Sequence, residues 1–355
     1  MQGMELCRRF YHDCVEGILA RRFPGLEYAC GLLGFGSDVL GYDDEVSRDH
    51  MWGPRLYIFL NKEDMAAADM VMAALCSELP RRFMGFPVGF GAPGEDGISA
   101  MQDDDSGQFR PMISIDTLDG FLMSELGVAG AQGLSAADWL ALSEHKLLTL
   151  RAGELFHDDI GAGAVLCGFD YYPDDVWLYL IMSDWACIAE ERAFVKRTAS
   201  RGDDMGSRII CARIAHRAMH LCFLYERRYA PYAKWMGTAF AELASARAIA
   251  PMMRKALETG DMLVRERALA GMQSRLIELH NASGLTPPVD SRIAPYFTRD
   301  ILVADSDGVC NALRELIKGT QLEGMPPLGS MSGVGNLVEL SEHAAHFERR
   351  RSIYE

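Results

Sequence analysis

Two short apolar runs, joined by a glycine-rich turn and an acidic loop, constrain the fold of this chain more than any other feature. The first run covers residues 28–34 and leads into Gly34-Phe35-Gly36-Ser37, and the second covers residues 55–60. Both have the length and apolar character of a buried strand. A Gly-Ser turn lets backbone N–H groups and a hydroxyl approach phosphate oxygens closely. The spacing therefore predicts a strand, a phosphate-binding turn and a second strand.

The acidic residues around the second strand decide whether this turn can also serve a metal ion. Two carboxylates two positions apart on a strand share one face and can hold one Mg²⁺. Asp49 is present, but Met51 occupies the partner position, and a thioether is a poor ligand for a hard cation. A third predicted strand, residues 111–117, carries Ser114 and Asp116 on one face. We expect Asp49 and Asp116 to be the metal ligands and catalytic residues of a nucleotidyl transfer.

Composition and charge exclude several classes of partner. The net charge of −15 argues against nucleic acid as the main partner, because that binding depends on cationic neutralisation of phosphates. The nine cysteines show no CxxC pair, and scattered free thiols are typical of a reducing compartment. No signal-peptide core or membrane-length apolar run is evident. We expect a cytoplasmic protein with no membrane partner.

The chain divides into three predicted parts: a mixed-sheet domain (residues 1–130), a helical domain (131–284) and a C-terminal extension with a small strand-helix element (285–355). Within the helical domain, the periodicity predicts long helices with short loops, as in a bundle. Ser135 and Asp138 have the spacing of a capping box. Residues 153–159, which include Glu154 and His157, are predicted to form a loop that caps the next helix. In the alternative interpretation, this cluster supplies a base that replaces the lost carboxylate. The predicted helices cover residues 135–150, 174–198, 205–225, 232–248 and 251–281.

A second group of candidate site residues lies between two of these helices, at residues 227–235. Arg228 and Lys234 are suited to phosphate, the first as a bidentate clamp and the second as a point charge. Tyr232 can stack on a nucleotide base. We expect these three residues to bind the nucleotide, with Lys234 on the phosphates. In the alternative interpretation, the arginines pair with surface acids and the aromatic residues fill the interior.

Three segments resemble bacterial proteins of the DUF4037 family. They are Gly34-Phe35-Gly36-Ser37-Asp38-Val39-Leu40-Gly41-Tyr42-Asp43-Asp44-Glu45-Val46-Ser47-Arg48-Asp49-His50, Tyr172-Pro173-Asp174-Asp175-Val176-Trp177 and Arg227-Arg228-Tyr229-Ala230-Pro231-Tyr232-Ala233-Lys234-Trp235. The resemblance implies a nucleotidyltransferase-like domain followed by helices, and no known substrate. Family members tend to read Asp-His-Asp where this chain reads Asp49-His50-Met51, and an acid is expected near Ser114.

The sequence therefore predicts an α+β protein, with a nucleotidyltransferase-type mixed-sheet domain followed by a mainly helical bundle. It is expected to bind Mg²⁺ and ATP or another nucleoside triphosphate between its domains. Gly36 and Ser37 would hold the phosphates, and the acceptor would be a hydroxyl on a small molecule or a protein. The alternative is a catalytically silent nucleotide-binding or scaffold protein, because Met51 replaces an expected ligand. Modification of a cationic antibiotic is a third, weaker alternative that the acidic charge permits.

Overall fold

The computed structural model describes residues 1–48, 51–91, 100–102, 109–334 and 337–355. It is an α+β protein with a small mixed sheet and many helices, which confirms the predicted fold class at that level. The chain divides into two compact units. The first unit comprises residues 1–133, 146–170 and 342–347, and the second comprises residues 134–145, 171–341 and 348–355.

The first unit contains a four-stranded sheet in the order β5-β2-β1-β6. Its strands are β1 (Tyr28–Leu32), β2 (Arg55–Leu60), β5 (Met112–Asp116) and β6 (Glu154–Asp158). Strand β2 runs antiparallel to β1 and parallel to β5, while β6 is antiparallel to β1. Two further strands, β3 (Arg82–Phe83) and β4 (Phe86–Pro87), form a separate small hairpin. The three strands predicted in this part of the chain are present.

Strand β6 was not predicted, and the expectation of a loop over residues 153–159 is wrong. Its polar residues hide the strand in the sequence, because none of Glu154, His157 and Asp158 suggests a buried strand. Gly31 permits the pairing with β1, since a Cβ at this position would collide with the backbone carbonyl of Glu154. The capping part of the prediction is confirmed: the Asp158 carboxylate accepts hydrogen bonds from the amides of Ala162 and Gly163.

Helices of the first unit pack against this sheet through the residues that they bury. The N-terminal helical stretch consists of Gly3–Phe10 and Glu16–Arg22, with a short π-helical segment, Tyr11–Val15, between them. It buries Leu6, Phe10 and Leu19. Together with apolar side chains of β1 and β2, much of this face forms one hydrophobic core. The helices are α1 (Gly3–Phe10), α2 (Glu16–Arg22), α3 (Ala68–Glu78), α4 (Leu118–Leu126), α6 (Glu144–Ala152) and α7 (Ala162–Leu166). The first two residues of α6 belong to the second unit.

The second unit is mainly helical, and several of its helices begin at side-chain caps. Ser135 and Asp138 form the predicted capping box. Asp203 and Asp261 accept hydrogen bonds from backbone amides in the first turns of two long helices. Its longer helices are α5 (Ala136–Ala141), α8 (Asp174–Glu191), α9 (Phe194–Ala199), α10 (Asp204–Tyr225), α11 (Ala233–Ala241), α12 (Ala246–Glu258), α13 (Met262–Ser283) and α14 (Ser306–Leu316).

Several predicted helices are each divided into two. The predicted helix over residues 135–150 ends at Ala141 and restarts at Glu144, and the one over residues 174–198 is interrupted after Glu191. The remaining elements are β7 (Ala294–Pro295), β8 (Leu302–Val303), α15 (Met331–Val334), α16 (Val338–Glu342) and α17 (Phe347–Arg351). Across the described ranges, no helix combines the length and apolar composition needed to cross a membrane.

Candidate functional site

The predicted phosphate-binding turn follows β1 directly and requires both of its glycines. Gly34 has φ +79° and Gly36 has φ +124°, a region that side chains other than glycine rarely adopt. At Gly36 an added Cβ would also collide with the Asp38 carboxylate and the Arg55 guanidinium. At position 36, therefore, only glycine fits the backbone conformation and the space that the turn leaves.

A buried ion pair between Arg55 and Asp38 stabilises the turn. The Arg55 side chain is 2% exposed and that of Asp38 is 1% exposed. Arg55 Nη2 donates to Asp38 Oδ1 at 2.7 Å and to the Phe35 carbonyl at 2.6 Å, and its Nε donates to Asp38 Oδ2 at 3.1 Å. Burial lowers the pKa of Arg55, but the Asp38 carboxylate outweighs it, so the pKa lies above its ordinary value. The turn is thus held in one conformation by a charged residue at the start of β2.

The backbone of this turn contains hydrogen-bond donors. Within the described ranges, the backbone N–H groups of Gly34, Phe35, Gly36 and Ser37 have no hydrogen-bond acceptor. Successive free amides in a turn with left-handed residues form an anion-binding concavity. The Ser37 hydroxyl donates to the Ser47 carbonyl at 2.8 Å, so its proton is engaged while its oxygen can still accept.

The residues expected to hold a metal are less well placed. Asp49 lies outside the described residues. Met51 lies at the beginning of the segment that leads into β2, with φ +50°. Asp116 pairs with Phe59, which in turn pairs with Ala29, so it lies about 10 Å from the end of β1 along the strand direction. The register therefore does not bring Asp116 to the level of the turn.

The environment of Asp116 also suggests a local structural role. Its Oδ1 accepts a hydrogen bond from the Thr117 amide at 2.7 Å, just before α4. Ser114, the position where the family resemblance implies an acid, pairs with Tyr57 and so lies nearer the turn. Over the described part of the chain, no three His, Cys, Asp or Glu side chains come together as a metal site.

The second predicted group lies in the second unit, in the turn between α10 and α11 and in the first turn of α11, which contains Lys234. Arg228 is half-exposed, and its Nη2 is 3.7 Å from Glu242 Oε2. The Tyr232 ring lies 4.5 Å from the His145 ring, and the exposed Lys234 has its Nζ 4.9 Å above the Trp235 ring. The ion pair of Arg228 is at the surface and weak, so its guanidinium is accessible to an anion.

Arg227 anchors the start of this turn. It has φ +49°, and its guanidinium lies 3.9 Å from the Trp177 ring centroid and donates to Asp174 at 2.7 Å. The Trp177 indole N–H donates to the Leu224 carbonyl at 2.7 Å. The part of the alternative interpretation in which the arginines pair with surface acids therefore describes both Arg227 and Arg228.

A buried charged cluster in the second unit escaped sequence analysis. The His220 ring lies between two carboxylates, with Nδ1 2.6 Å from Asp184 Oδ2 and Nε2 2.9 Å from Glu144 Oε2. Glu144 Oε1 accepts from the Ala230 amide at 2.9 Å, and Arg217 Nη1 donates to Asp184 Oδ1 at 3.0 Å. The available signal was an acid inside an apolar helix: Asp184 interrupts the most apolar helical run of the chain, at residues 176–188.

Opposite charges within the cluster shift the pKa values of its members. Burial lowers the pKa of His220, but the carboxylates of Glu144 and Asp184 outweigh it and raise the pKa to about 10. Burial raises the pKa of Asp184, but His220 and Arg217 bring it below its ordinary value. At neutral pH His220 is therefore an imidazolium, and Asp184 is a carboxylate that pairs with it and with the Arg217 guanidinium.

Two clefts in the second unit contain none of the predicted site residues. One, of 440 Å³, lies between α8 and α14 and is lined by Arg192, Tyr296 and Arg314 among others. The other, of 240 Å³, lies beside the β7–β8 hairpin and shares Arg192 and Tyr296 with the first. The candidate site residues are therefore supported by local geometry and not by these clefts.

One family model matches a part of the chain that includes residues of both units. The family model described as "Domain of unknown function (DUF4037)" matches residues 139–236. Residues 139–236 are therefore similar to this family. No curated protein matches the chain. The match contains residues 172–177 and 227–235, as well as Glu144, Asp184 and His220. Residues 34–50 lie outside it.

Proposed function

We propose that this protein binds a nucleoside triphosphate through the turn at Gly34–Ser37 and transfers a nucleotide to a hydroxyl acceptor. The observation that carries the proposal is the run of four backbone N–H groups without an acceptor in the described part of the chain. They lie on a turn that the Arg55–Asp38 pair holds rigidly. A pre-organised group of amides can bind phosphate oxygens without first breaking internal hydrogen bonds.

The metal-binding part of the proposal rests on fewer residues. The described residues do not form a Mg²⁺ site, since Asp116 stands apart from the turn and Met51 cannot replace a carboxylate. Asp49 remains the proposed ligand by family resemblance. No catalytic step is assigned to a metal ion on this basis.

Met51 supports a second candidate function, a nucleotide-binding protein without transferase activity. In this alternative the turn retains its affinity for phosphate, while the carboxylate pair needed for metal-assisted transfer is lost. The two candidates predict the same ligand and differ in their dependence on Mg²⁺ and in turnover.

Calorimetric titration of the full chain with ATP, with and without Mg²⁺, tests the proposal. Magnesium-dependent binding supports the transferase, and binding that is indifferent to Mg²⁺ supports the silent alternative. If the wild-type protein binds ATP in neither condition, both candidates are wrong. Asp49→Asn should weaken only the magnesium-dependent component.

Variants at the turn identify where the nucleotide binds. Ser37→Asp places a negative charge beside the free amides and should weaken ATP binding at least tenfold. Ser37→Ala removes only the hydrogen bond to Ser47 and serves to measure that loss separately. Ser124→Asp, exposed on α4 of the same unit, is the matched charge control and should bind ATP as the wild type does. Equal affinity for Ser37→Asp and Ser124→Asp would place the nucleotide elsewhere.

The second unit is tested in the same way. Arg228, Tyr232 and Lys234 remain proposed nucleotide-binding residues, and Lys234→Ala should weaken ATP binding by removing one cation. Lys255→Ala, exposed on α12 of the same unit, changes the net charge equally and is its control. If both variants lose affinity to the same extent, the effect comes from net charge and not from a phosphate contact.

A further inference from the structure

A continuous path of hydrogen bonds in the second unit joins the turn of residues 227–234 to Gly333. It starts at the Ala230 amide in the turn of residues 227–234, which donates to Glu144 Oε1. Glu144 Oε2 lies 2.9 Å from His220 Nε2, and His220 Nδ1 lies 2.6 Å from Asp184 Oδ2. Each of these side chains thus contacts the next, so displacement of one changes the partners of its neighbours.

Arg217 continues this path to the C-terminal part of the chain. It donates to Asp184 through Nη1, and its Nη2 donates to the Gly333 carbonyl at 2.8 Å. The same segment returns to the other end of the path, because the Ser332 hydroxyl accepts a hydrogen bond from the Glu144 amide at 3.1 Å. Residues 329–333 therefore complete a charged cluster whose other side chains all lie within the DUF4037 match.

The cluster is too buried to be an incidental surface network. The side chains of Glu144, Asp184 and His220 are between 2% and 7% exposed, and only Arg217, at 20%, reaches toward solvent. A buried ion pair adds little net stability over apolar packing, but the loss of one partner leaves an uncompensated charge. Its clearest structural consequence is that both carboxylate oxygens of Glu144 are held in place under the turn.

We infer that Glu144, His220, Asp184 and Arg217 are positioning residues that fix the turn at residues 227–234 through the Ala230 amide. The turn carries Arg228, Tyr232 and Lys234, so the inference that this positioning serves nucleotide binding rests on the proposed function. The positioning itself does not. None of the four cluster residues is assigned a contact with the nucleotide.

Amide hydrogen exchange, resolved at Ala230, tests the positioning directly. Arg217→Gln changes the far end of the path, and no hydrogen bond joins Arg217 to the turn in the described part of the chain. We expect Ala230 to exchange at least tenfold faster in this variant. Arg217→Lys retains a donor toward Asp184 and should restore much of the protection.

A matched control separates positioning from general loss of stability. Met272→Ala creates a cavity in α13, which supplies no side chain to the cluster. At equal unfolding temperature, this variant should not accelerate exchange at Ala230 selectively. If Met272→Ala and Arg217→Gln give the same exchange pattern, or if Arg217→Gln leaves Ala230 protected, the inference is overturned. Glu144→Gln gives the direct measurement if it folds, and the Arg217 variants decide the question if it does not.

ATP titration of the same variants tests the functional part. Arg217→Gln should weaken ATP binding and Arg217→Lys should restore it, while Met272→Ala binds as the wild type does. Unchanged ATP affinity in Arg217→Gln, with accelerated exchange at Ala230, would separate the turn from the nucleotide. If the wild-type protein binds no ATP, the proposed function fails, and the exchange experiment still decides whether the cluster positions the turn.

Discussion

The charged His220 predicts an unusual pH dependence of stability in the second unit. Its pKa is about 10 in the folded protein, against an ordinary value of about 6.5 for an exposed histidine. Above pH 6.5 the folded state therefore binds one proton more than the unfolded state, so stability falls as pH rises. This contribution is fully present below pH 6.5 and is lost as pH rises through 10.

The size of the effect follows from proton linkage. One bound proton changes the free energy of unfolding by about 1.4 kcal/mol per pH unit. Between pH 7 and 8.5 His220 should lower it by about 2 kcal/mol, and the unfolding temperature by roughly 4–8 °C for a unit of this size. The range starts at pH 7 because burial lowers the pKa of His280 to about 4, which gives an opposite slope at lower pH.

Tryptophan fluorescence is a suitable probe, because four of the five tryptophans lie in the second unit. Unfolding is measured at pH 7 and 8.5 for the wild type, for His220→Gln and for His12→Gln, which changes an exposed residue of α1–α2. His220→Gln should have a flatter pH dependence than the wild type by about 2 kcal/mol, while His12→Gln should match the wild type. If His220→Gln does not fold, Glu144→Gln removes one of the two carboxylates and should reduce the slope. A wild-type slope retained in His220→Gln would refute the assignment of a charged histidine.

Three further substitutions test individual contacts by thermal unfolding. Gly36→Ala combines a positive φ with a collision against the Arg55–Asp38 pair and should destabilise the first unit by about 3 kcal/mol or more. Gly41→Ala is its control, because Gly41 also has a positive φ but has open space around it. Equal losses of stability in the two variants would refute the collision. Tyr179→Phe removes the hydrogen bonds to Pro326 and Leu328 and should lower the free energy of unfolding by about 1–3 kcal/mol. Residues 326–334 should then be cleaved faster by a protease, and an unchanged cleavage rate would contradict this prediction. Ser135→Ala should cost about 1 kcal/mol by removing the capping box, and Ser135→Thr should retain most of it; no difference between the two would argue against the cap.

Apolar periodicity was sufficient to predict most strands and helices, because burial of one face is what it reports. The strands near residues 28–34, 55–60 and 111–117 and the helix over residues 205–225 were found with small errors at their ends. The interruption at residues 142–143 was missed because it contains neither glycine nor proline. It is the break that places Glu144 at the start of a new helix, where its carboxylate reaches His220 and the Ala230 amide.

The candidate site was harder to predict, because its geometry depends on pairings between distant residues. The glycines of the turn were identified from the Gly-Ser motif. Glycine is required at position 36 because of the pair formed by Arg55 and Asp38, which lie 17 residues apart in the chain. Asp116 was selected because it shares a strand face with Ser114, and alternation says nothing about level along the strand. The register with Phe59 and Ala29 supplies that level and separates Asp116 from the turn.

Met51 connects this backbone geometry with the question of activity. Its φ of +50° lies in the left-handed region, where methionine is strained and where aspartate and asparagine are better tolerated. The backbone at position 51 therefore tolerates the aspartate that the family resemblance implies, but it is not the extended strand on which two carboxylates two positions apart share one face. Met51→Asp should leave the first unit as stable as the wild type or more so, whereas Met51→Val should destabilise it by about 1–3 kcal/mol. If Met51→Asp also gains magnesium-dependent ATP binding, the fold has kept the geometry of a metal site and lost one ligand. A strongly destabilised Met51→Asp would show instead that the segment has adapted to methionine, and would favour the silent nucleotide-binding protein.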